Sequence, residues 1–153
     1  MLKIEIPQRG TIELLHAVFD VNGTLSVDGI ALPEVAECLK QVAEHLSIHL
    51  LTAGTHGNIA VLEQNLGFPL RLMHTGEEKM RYIQKLGPAN VVAFGNGQND
   101  SSMLRLATIG IAILTAEGVA TRTLQAADIL VTNPLDALGL LLQPKRLIAT
   151  LRS

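Results

Sequence analysis

Aromatic side chains are scarce in this sequence, and their scarcity argues against one class of ligand. The 153 residues include no Trp, one Tyr and three Phe. Proteins that bind single-stranded nucleic acid stack successive bases on aromatic side chains. The formal net charge of −2 also gives no basic surface for a phosphate backbone or an anionic membrane. We therefore expect neither nucleic acid nor membrane among the partners of this protein.

Cysteine and long apolar runs are also nearly missing. Cys38 is the only cysteine, so no internal disulfide can form, and a reducing compartment is favoured. The first residues lack the apolar core of a signal peptide, and no run reaches the length of a transmembrane helix. These features predict a cytoplasmic protein.

What the sequence does contain is short apolar runs that alternate with longer segments of helical pattern. This alternation predicts an α/β fold, a three-layer doubly wound parallel sheet, in one domain spanning residues 1–153. The predicted strands are residues 14–20, 47–52, 70–74, 91–95, 109–114 and 129–131. The predicted helices are residues 33–46, 58–66, 77–86, 100–106, 117–126 and 135–142. Residues 3–7 and 11–15 are expected to form a hairpin.

Polar side chains collect where the predicted strands end. Asp20 ends the first strand, Thr52 ends the second, and Asn96 and Asp100 follow the fourth. Ligands of open α/β sheets bind at the carboxyl ends of strands, where the strand order reverses. In the strand order 3-2-1-4-5, Asp20 would face Asn96 and Asp100. Asn-Gly and Asp-Gly pairs between residues 22 and 32 predict a loop with a short hairpin.

These residue types suit phosphoryl transfer. A carboxylate such as Asp20 can attack phosphorus, and a second one such as Asp100 can help to hold Mg²⁺. The transferring group needs donors and a cation, for which Thr52 and Lys79 are candidates. Gly23 permits close approach of the backbone to a phosphate. The sequence therefore offers a candidate for each part of a phosphoryl-transfer site.

Four short motifs resemble those of the haloacid dehalogenase superfamily. Residues 19–25 (FDVNGTL) resemble its first motif, and residues 50–54 (LLTAG) resemble its second. Lys79 matches the third, and residues 94–100 (FGNGQND) resemble the fourth. All four occur in the order of the family, and each lies at or near a predicted strand end. The subfamily that the sequence resembles is that of small soluble proteins related to the phosphorylation domain of P-type ATPases.

The resemblance implies a cap-less phosphatase that acts on a small phosphorylated substrate with Mg²⁺ as cofactor. Only about thirty residues separate Asp20 from Thr52, which leaves no room for a cap domain. A site without a cap would be open unless a neighbouring subunit covers it, so a homo-oligomer is one expectation.

The resemblance also implies a role for each site residue. Asp20 would be the nucleophile, with Asn22 at the position of the general acid. The implied phosphate-binding residues are Gly23, Thr52, Ala53, Lys79 and Asn99. The implied Mg²⁺ ligands are Asp20 and the carbonyl of Asn22, with Asn96 and Asp100 completing the site directly or through water.

Two residues depart from the phosphatase pattern. Phosphatases of this superfamily have Asp at the position of Asn22, and Asn cannot exchange a proton near neutral pH. Since general acid–base help contributes roughly 10²–10⁴ in rate, we expect slow turnover or a long-lived aspartyl-phosphate. Asn96 replaces a second expected carboxylate, which should weaken Mg²⁺ binding. The alternative is a non-catalytic or regulatory module that binds phosphoryl groups and Mg²⁺.

Each residue also has a purely structural interpretation. Asp20 and Asn96 could belong to tight turns, and Asp100 could be the N-cap of the following helix. Lys79 could be a solvated side chain in the first turn of its helix, and Thr52 a plain strand-end residue. His56 follows Thr52 closely, and a loop residue without a role is the preferred interpretation there.

Overall fold

The computed structural model describes residues 1–54 and 58–153, so His56 lies outside the described residues. The strands are β1 (Leu2–Ile6), β2 (Gly10–Leu14), β3 (His16–Asp20), β4 (Ser47–Thr52), β5 (Leu70–Leu72), β6 (Val91–Gly95), β7 (Ile109–Ile113) and β8 (Ile129–Val131). The helices are α1 (Pro33–Val42), α2 (Ile59–Leu66), α3 (Gly76–Leu86), α4 (Ser101–Leu106), α5 (Thr121–Ala126), α6 (Pro134–Leu142) and α7 (Pro144–Leu151). Within this described part, every helix is too short or too polar to cross a bilayer.

Six strands form one parallel sheet in the order β5-β4-β3-β6-β7-β8. The strand order reverses between β3 and β6, because the chain builds the sheet outward from β3 first in one direction and then in the other. In register, Asp20 pairs with Leu51 of β4, and Phe19 pairs with Phe94 of β6. The predicted doubly wound parallel sheet is therefore confirmed, with the switch point beside Asp20.

Helices cover both faces of the sheet, as the sheet's apolar strands require. Successive side chains of a strand point to opposite faces. Phe19 belongs to the core beneath α1, α2, α6 and α7, where its ring stacks on Phe94 at 4.4 Å between centroids. Val18 belongs to the second core, beneath α3, α4 and α5. By the same alternation, Asp20 faces the α3 side of the sheet.

The hairpin of β1 and β2 lies outside the parallel sheet and closes its first core. Ile4, Ile6, Ile12 and Leu14 alternate with exposed residues and are buried in that core. Leu147 of α7 packs into the same core, so the end of the chain covers the hairpin. The hairpin was predicted, within one residue at each strand, whereas helix α7 was not.

Several predicted elements differ from the structure, among them the predicted strand 70–74, which ends at Leu72. The predicted strand 14–20 is divided, because Leu14 ends the hairpin and Leu15, 40% exposed, links it to β3. The predicted helix 33–46 ends at Val42, followed by turns. The predicted helix 117–126 begins only at Thr121. Gly118 before it has a φ of +83°, which a right-handed helix does not allow.

Gly110 on β7 provides a test of how closely this strand packs against α4. A Cβ at Gly110 would lie 2.4 Å from the backbone oxygen of Leu104, and that oxygen belongs to a helix that cannot simply move away. We expect Gly110→Ala to lower the free energy of unfolding by about 1–3 kcal/mol in urea denaturation, as overpacking does elsewhere.

Gly139 of α6 is the matched control. A Cβ there would meet the end of the Arg146 side chain at 3.2 Å, and a long side chain can shift. Because Ala is favoured over Gly in a helix by about 1 kcal/mol, Gly139→Ala should be neutral or stabilising. Equal effects of the two substitutions would contradict the close packing inferred for Gly110.

Candidate active site

Asp20 occupies the last position of β3, at the switch point of the sheet. It pairs with β4 on one side, and β6 runs along the other side of the strand. The residue is only 5% exposed, although it sits at a strand end. A carboxylate so buried needs partners that offset the loss of water.

Lys79 supplies the positive charge that pairs with the carboxylate of Asp20. It lies in the first half of α3, and together with Ile83, one turn later, it forms the buried face of that helix. Its ammonium Nζ is 2.8 Å from Asp20 Oδ1 and 2.7 Å from Asp100 Oδ1. Lys79 is fully buried, so the interpretation as a solvated lysine is wrong.

Asp100 closes the loop that follows β6. Its Oδ2 accepts hydrogen bonds from the backbone N–H of Asn96 at 3.1 Å and of Gly97 at 3.0 Å. Asp100 occupies the N-cap position of α4, but its side chain bonds these preceding amides and Lys79. The carboxylate therefore holds the loop and the lysine together beneath the site.

The segment after Asp20 packs directly against Asn96. Gly23 has a φ of +79°, and a Cβ there would lie 2.3 Å from Asn96 Nδ2, so both the backbone and the space require glycine. Thr24, fully buried, places its hydroxyl 3.0 Å from Asp20 Oδ2 and 3.1 Å from Asn96 Oδ1. Further along, Asp28 and Gly29 both have positive φ in the turn of the predicted short hairpin.

The charges in this cluster are unequal, with two carboxylates for one ammonium. Burial and the neighbouring Asp100 carboxylate raise the pKa of Asp20 to about 7, although Lys79 and Thr24 act to lower it. Burial also acts to lower the pKa of Lys79, but the carboxylates of Asp20 and Asp100 outweigh burial and raise that pKa above its ordinary value. Lys79 is therefore a permanent cation near neutral pH, whereas Asp20 titrates there.

Asn22 and Thr52 contact each other rather than standing apart. Asn22 Nδ2 donates to Thr52 Oγ1 at 3.0 Å, and the N–H of Gly54 donates to the same hydroxyl at 3.1 Å. Among the described residues, Asn22 Oδ1 is a buried acceptor without a hydrogen-bond partner. A buried acceptor left in this state is a place where a water or an ion is expected.

A cavity of about 150 Å³ opens beside Asp20. Its described lining is Asp20, Asn22, Ala53, Asn96, Gly97, Asn99 and Glu117. Five of the predicted site residues are thus brought to one cavity. The other four described ones, Gly23, Thr52, Lys79 and Asp100, contact lining residues through the packing and hydrogen bonds given above.

Three residues at this site, Thr24, Gly97 and Glu117, were not assigned a role by sequence reasoning. Thr24 bridges Asp20 and Asn96, and its signal was its place in the first motif. Glu117 lines the cavity from the loop after β7. Glu117 follows the end of a strand, as Asp100 does, and this position could have identified it. The sequence analysis instead included it in the predicted helix 117–126.

The donor atoms around the cavity fit a hard cation. Mg²⁺ is held by oxygen ligands, usually one or two carboxylates with waters and substrate phosphate. Asp20, Asn96 and Glu117, which line the cavity, carry side-chain oxygens of this kind. The described residues form no group of three or more His, Cys, Asp and Glu that could cage a metal, and Mg²⁺ does not require one.

The sequence profile of the haloacid dehalogenase-like hydrolases matches residues 34–138. The chain belongs to this family. The matched segment contains α1, the Thr52, Lys79 and Asp100 motifs and most of the sheet. It begins after Asp20, so the position of Asp20 within the family rests on its motif and on the geometry described above.

Known proteins similar to this chain include one curated protein and several solved structures. An uncharacterized protein of Methanocaldococcus jannaschii, MJ0073, is 38% identical over 78 residues, which are 48% of this chain and 84% of that protein. The catalytic domain of the CPx-ATPase CopB-B is 29% identical with a TM-score of 0.61 over 73% of this chain. This chain spans only 46% of that ATPase structure.

A phosphatase of similar size shares the fold across nearly its whole length. The 3-deoxy-D-manno-octulosonate 8-phosphate phosphatase of Moraxella catarrhalis, solved with magnesium, phosphate and KDO, has a TM-score of 0.64. The likeness covers 91% of this chain and 94% of the phosphatase at 17% identity. At this identity the likeness establishes the fold alone.

The raised pKa of Asp20 predicts a pH dependence of stability in metal-free protein. Below about pH 4, Asp20 is protonated in both the folded and unfolded states. Between about pH 4 and 7 the folded state keeps the proton and the unfolded state loses it. Stability should therefore fall with rising pH, by at most about 1.4 kcal/mol per pH unit from this group, and level off above pH 7.

The stability of Asp20→Asn should not show this fall between about pH 4 and 7, because an amide has no proton to release. The measurement is urea denaturation in EDTA at intervals from pH 4.5 to 8.5 for both proteins. Parallel curves for the wild type and Asp20→Asn would contradict the raised pKa.

Proposed function

We propose that this protein is a Mg²⁺-dependent phosphohydrolase or phosphotransferase that acts through an aspartyl-phosphate on Asp20. The observation that carries this proposal is the Asp20 carboxylate, which lines an open cavity while Lys79 and Thr24 hold its two oxygens. Membership of the haloacid dehalogenase-like hydrolases supports the reaction class. The substrate is a small phosphorylated compound, which suits a cavity without a cap domain.

The covalent step uses the carboxylate as nucleophile. One oxygen of Asp20 forms a bond to phosphorus as the bond from phosphorus to the leaving-group oxygen breaks, which gives an acyl phosphate. Each carboxylate oxygen has two lone-pair sites, so an oxygen that accepts one hydrogen bond can still attack. Water then attacks the phosphorus, inorganic phosphate leaves and the Asp20 carboxylate is restored.

The surrounding residues orient the nucleophile and the phosphoryl group. Lys79 fixes Asp20 Oδ1 and supplies positive charge next to the reacting carboxylate. Ala53 and Asn99 line the cavity, and in this proposal the backbone N–H of Ala53 and the side-chain amide of Asn99 would donate to phosphoryl oxygens. Gly23 and Thr52 support the lining from behind, since Gly23 packs against Asn96 and Thr52 accepts a hydrogen bond from Asn22.

Four residues would hold Mg²⁺ in this proposal. Asp20, Asn22 and Asn96 line the cavity, and Asp100 adds its negative charge from beneath it. When bound, the cation neutralises charge on the phosphoryl oxygens and orients the phosphoryl group. Residues 21–46, all of which the structure describes, contain only the loop and α1, so the site has no inserted cap above it.

Asn22 makes the reaction slow. A carboxamide cannot give a proton to the leaving group or take one from the attacking water, and Asn22 donates its Nδ2 to Thr52. The leaving group must therefore depart with a proton from solvent, and the acyl phosphate persists. A regulatory role for such a persistent phosphoryl group is the alternative that the same substitution favours.

The first test is phosphorylation by acetyl phosphate with Mg²⁺, followed by intact mass and free phosphate. We expect the wild type to gain one phosphoryl group, because Asp20 is a held nucleophile, and the adduct to decay slowly. Asp20→Asn should gain none. A wild type with neither adduct nor phosphate release would argue against the proposed chemistry.

The second test restores the missing acid with Asn22→Asp. The new carboxyl group can protonate the leaving group and activate water, so the lifetime of the acyl phosphate should shorten about tenfold or more. Pulse phosphorylation followed by a chase without acetyl phosphate measures that lifetime. An unchanged lifetime would show that Asn22 does not limit turnover.

A further inference from the structure

The loop after β7 is tied to the candidate site at three points. Thr115 Oγ1 donates to the backbone oxygen of Gly23 at 2.9 Å. Asn96 Nδ2 donates to the backbone oxygen of Gly118 at 3.2 Å, and the N–H of Ala120 donates to the backbone oxygen of Asn96 at 2.8 Å. These bonds hold the loop against both the Asp20 segment and the Asn96 loop.

Glu117 sits in the middle of this anchored loop. Its backbone N–H donates to Thr115 Oγ1 at 3.3 Å, and its Oε2 accepts from the backbone N–H of Asp28 at 3.2 Å. The residue is half-buried and lines the same cavity as Asp20 and Asn96. A carboxylate has about four acceptor sites, so one that accepts hydrogen bonds can also bind a cation.

The charge around the cavity explains what a carboxylate at this place contributes. Lys79 offsets one of the two charges of Asp20 and Asp100, and the Asp100 oxygens are bonded to Lys79 and to backbone amides. Asn96 carries no charge. Among the described lining residues, Asp20 and Glu117 are the carboxylates.

A second observation concerns the side chain of Asn22, which lies beside Asp20 and Glu117 in the cavity lining. The buried Oδ1 of Asn22 has no hydrogen-bond partner among the described residues. Buried acceptors of this kind are normally satisfied by protein, water or an ion. A hydrated cation in the cavity would supply such a partner.

Resting on the proposed function, we propose that Glu117 is a carboxylate ligand of the divalent cation, directly or through a bound water, and takes over the charge that Asn96 lacks. The cation then has two cavity carboxylates, Asp20 and Glu117, which is the number that Mg²⁺ sites commonly use. The bond to Asp28 positions the Glu117 side chain. The competing interpretation is that Glu117 only fastens the Asp28 hairpin.

The experiment is Mg²⁺ titration of metal-free protein by calorimetry, with Mn²⁺ titration by electron paramagnetic resonance as a second probe. Glu117→Gln keeps the size of the side chain and an oxygen that can accept from Asp28, but it removes the charge. We expect its dissociation constant for Mg²⁺ to rise about tenfold or more, the scale seen when groups supporting a metal site are removed.

Glu5→Gln is the matched control, because it removes the same charge from an exposed position on the β1–β2 hairpin. It should bind Mg²⁺ like the wild type. Urea denaturation in EDTA should give equal stability for all three proteins, which separates loss of a ligand from loss of structure.

The outcomes separate this inference from the proposed function. If the wild type binds Mg²⁺ and becomes phosphorylated while Glu117→Gln binds Mg²⁺ equally well, Glu117 is not a ligand and the proposed function stands. If Glu117→Gln loses stability in EDTA without losing Mg²⁺ affinity, the fastening role is the correct one. If the wild type neither binds Mg²⁺ nor accepts a phosphoryl group, both proposals fail.

Discussion

The buried ammonium of Lys79 between two carboxylates is the interaction on which the rest of the site depends. Its Nζ is fully buried and lies within 2.8 Å of both Asp20 and Asp100. Removing one partner from such a group leaves an uncompensated buried charge, which typically destabilises a protein by about 3–5 kcal/mol. Because the three residues come from β3, α3 and the loop after β6, this contact also sets how those elements meet.

The same contact leaves the Asp20 carboxylate beside the cavity. Lys79 donates a hydrogen bond to one oxygen of Asp20 and Thr24 donates to the other, yet Asp20 still lines the cavity. Asp100 is different, because its oxygens are engaged by Lys79 and two backbone amides. The structure thus shows Asp100 as the support of the loop, while its contribution to metal binding stays a prediction.

Two amides, Asn22 and Asn96, stand where a typical phosphatase of this superfamily would have acids, and in the proposed function they affect different parts of the reaction. Asn22 lacks the proton that a leaving group needs, whereas Asn96 lacks a charge that a cation needs. Asp20 and its ammonium partner Lys79 are retained. In the proposed function this combination favours formation of an acyl phosphate over its hydrolysis.

The sequence by itself determined the sheet and the place of its polar residues. Apolar runs predicted β4, β6 and β8 to the residue, and strand ends placed Asp20, Asn96 and Asp100 at one edge, because parallel strands end together. Only the tertiary structure decided the hydrogen bond from Asn22 to Thr52 and the fit of Gly23 against Asn96. It also decided that Glu117 lines the cavity beside Asp20 and that α7 packs against the first core. These contacts join residues far apart in the chain, so they follow from packing between elements, whereas local periodicity records only which face of its own element a residue occupies.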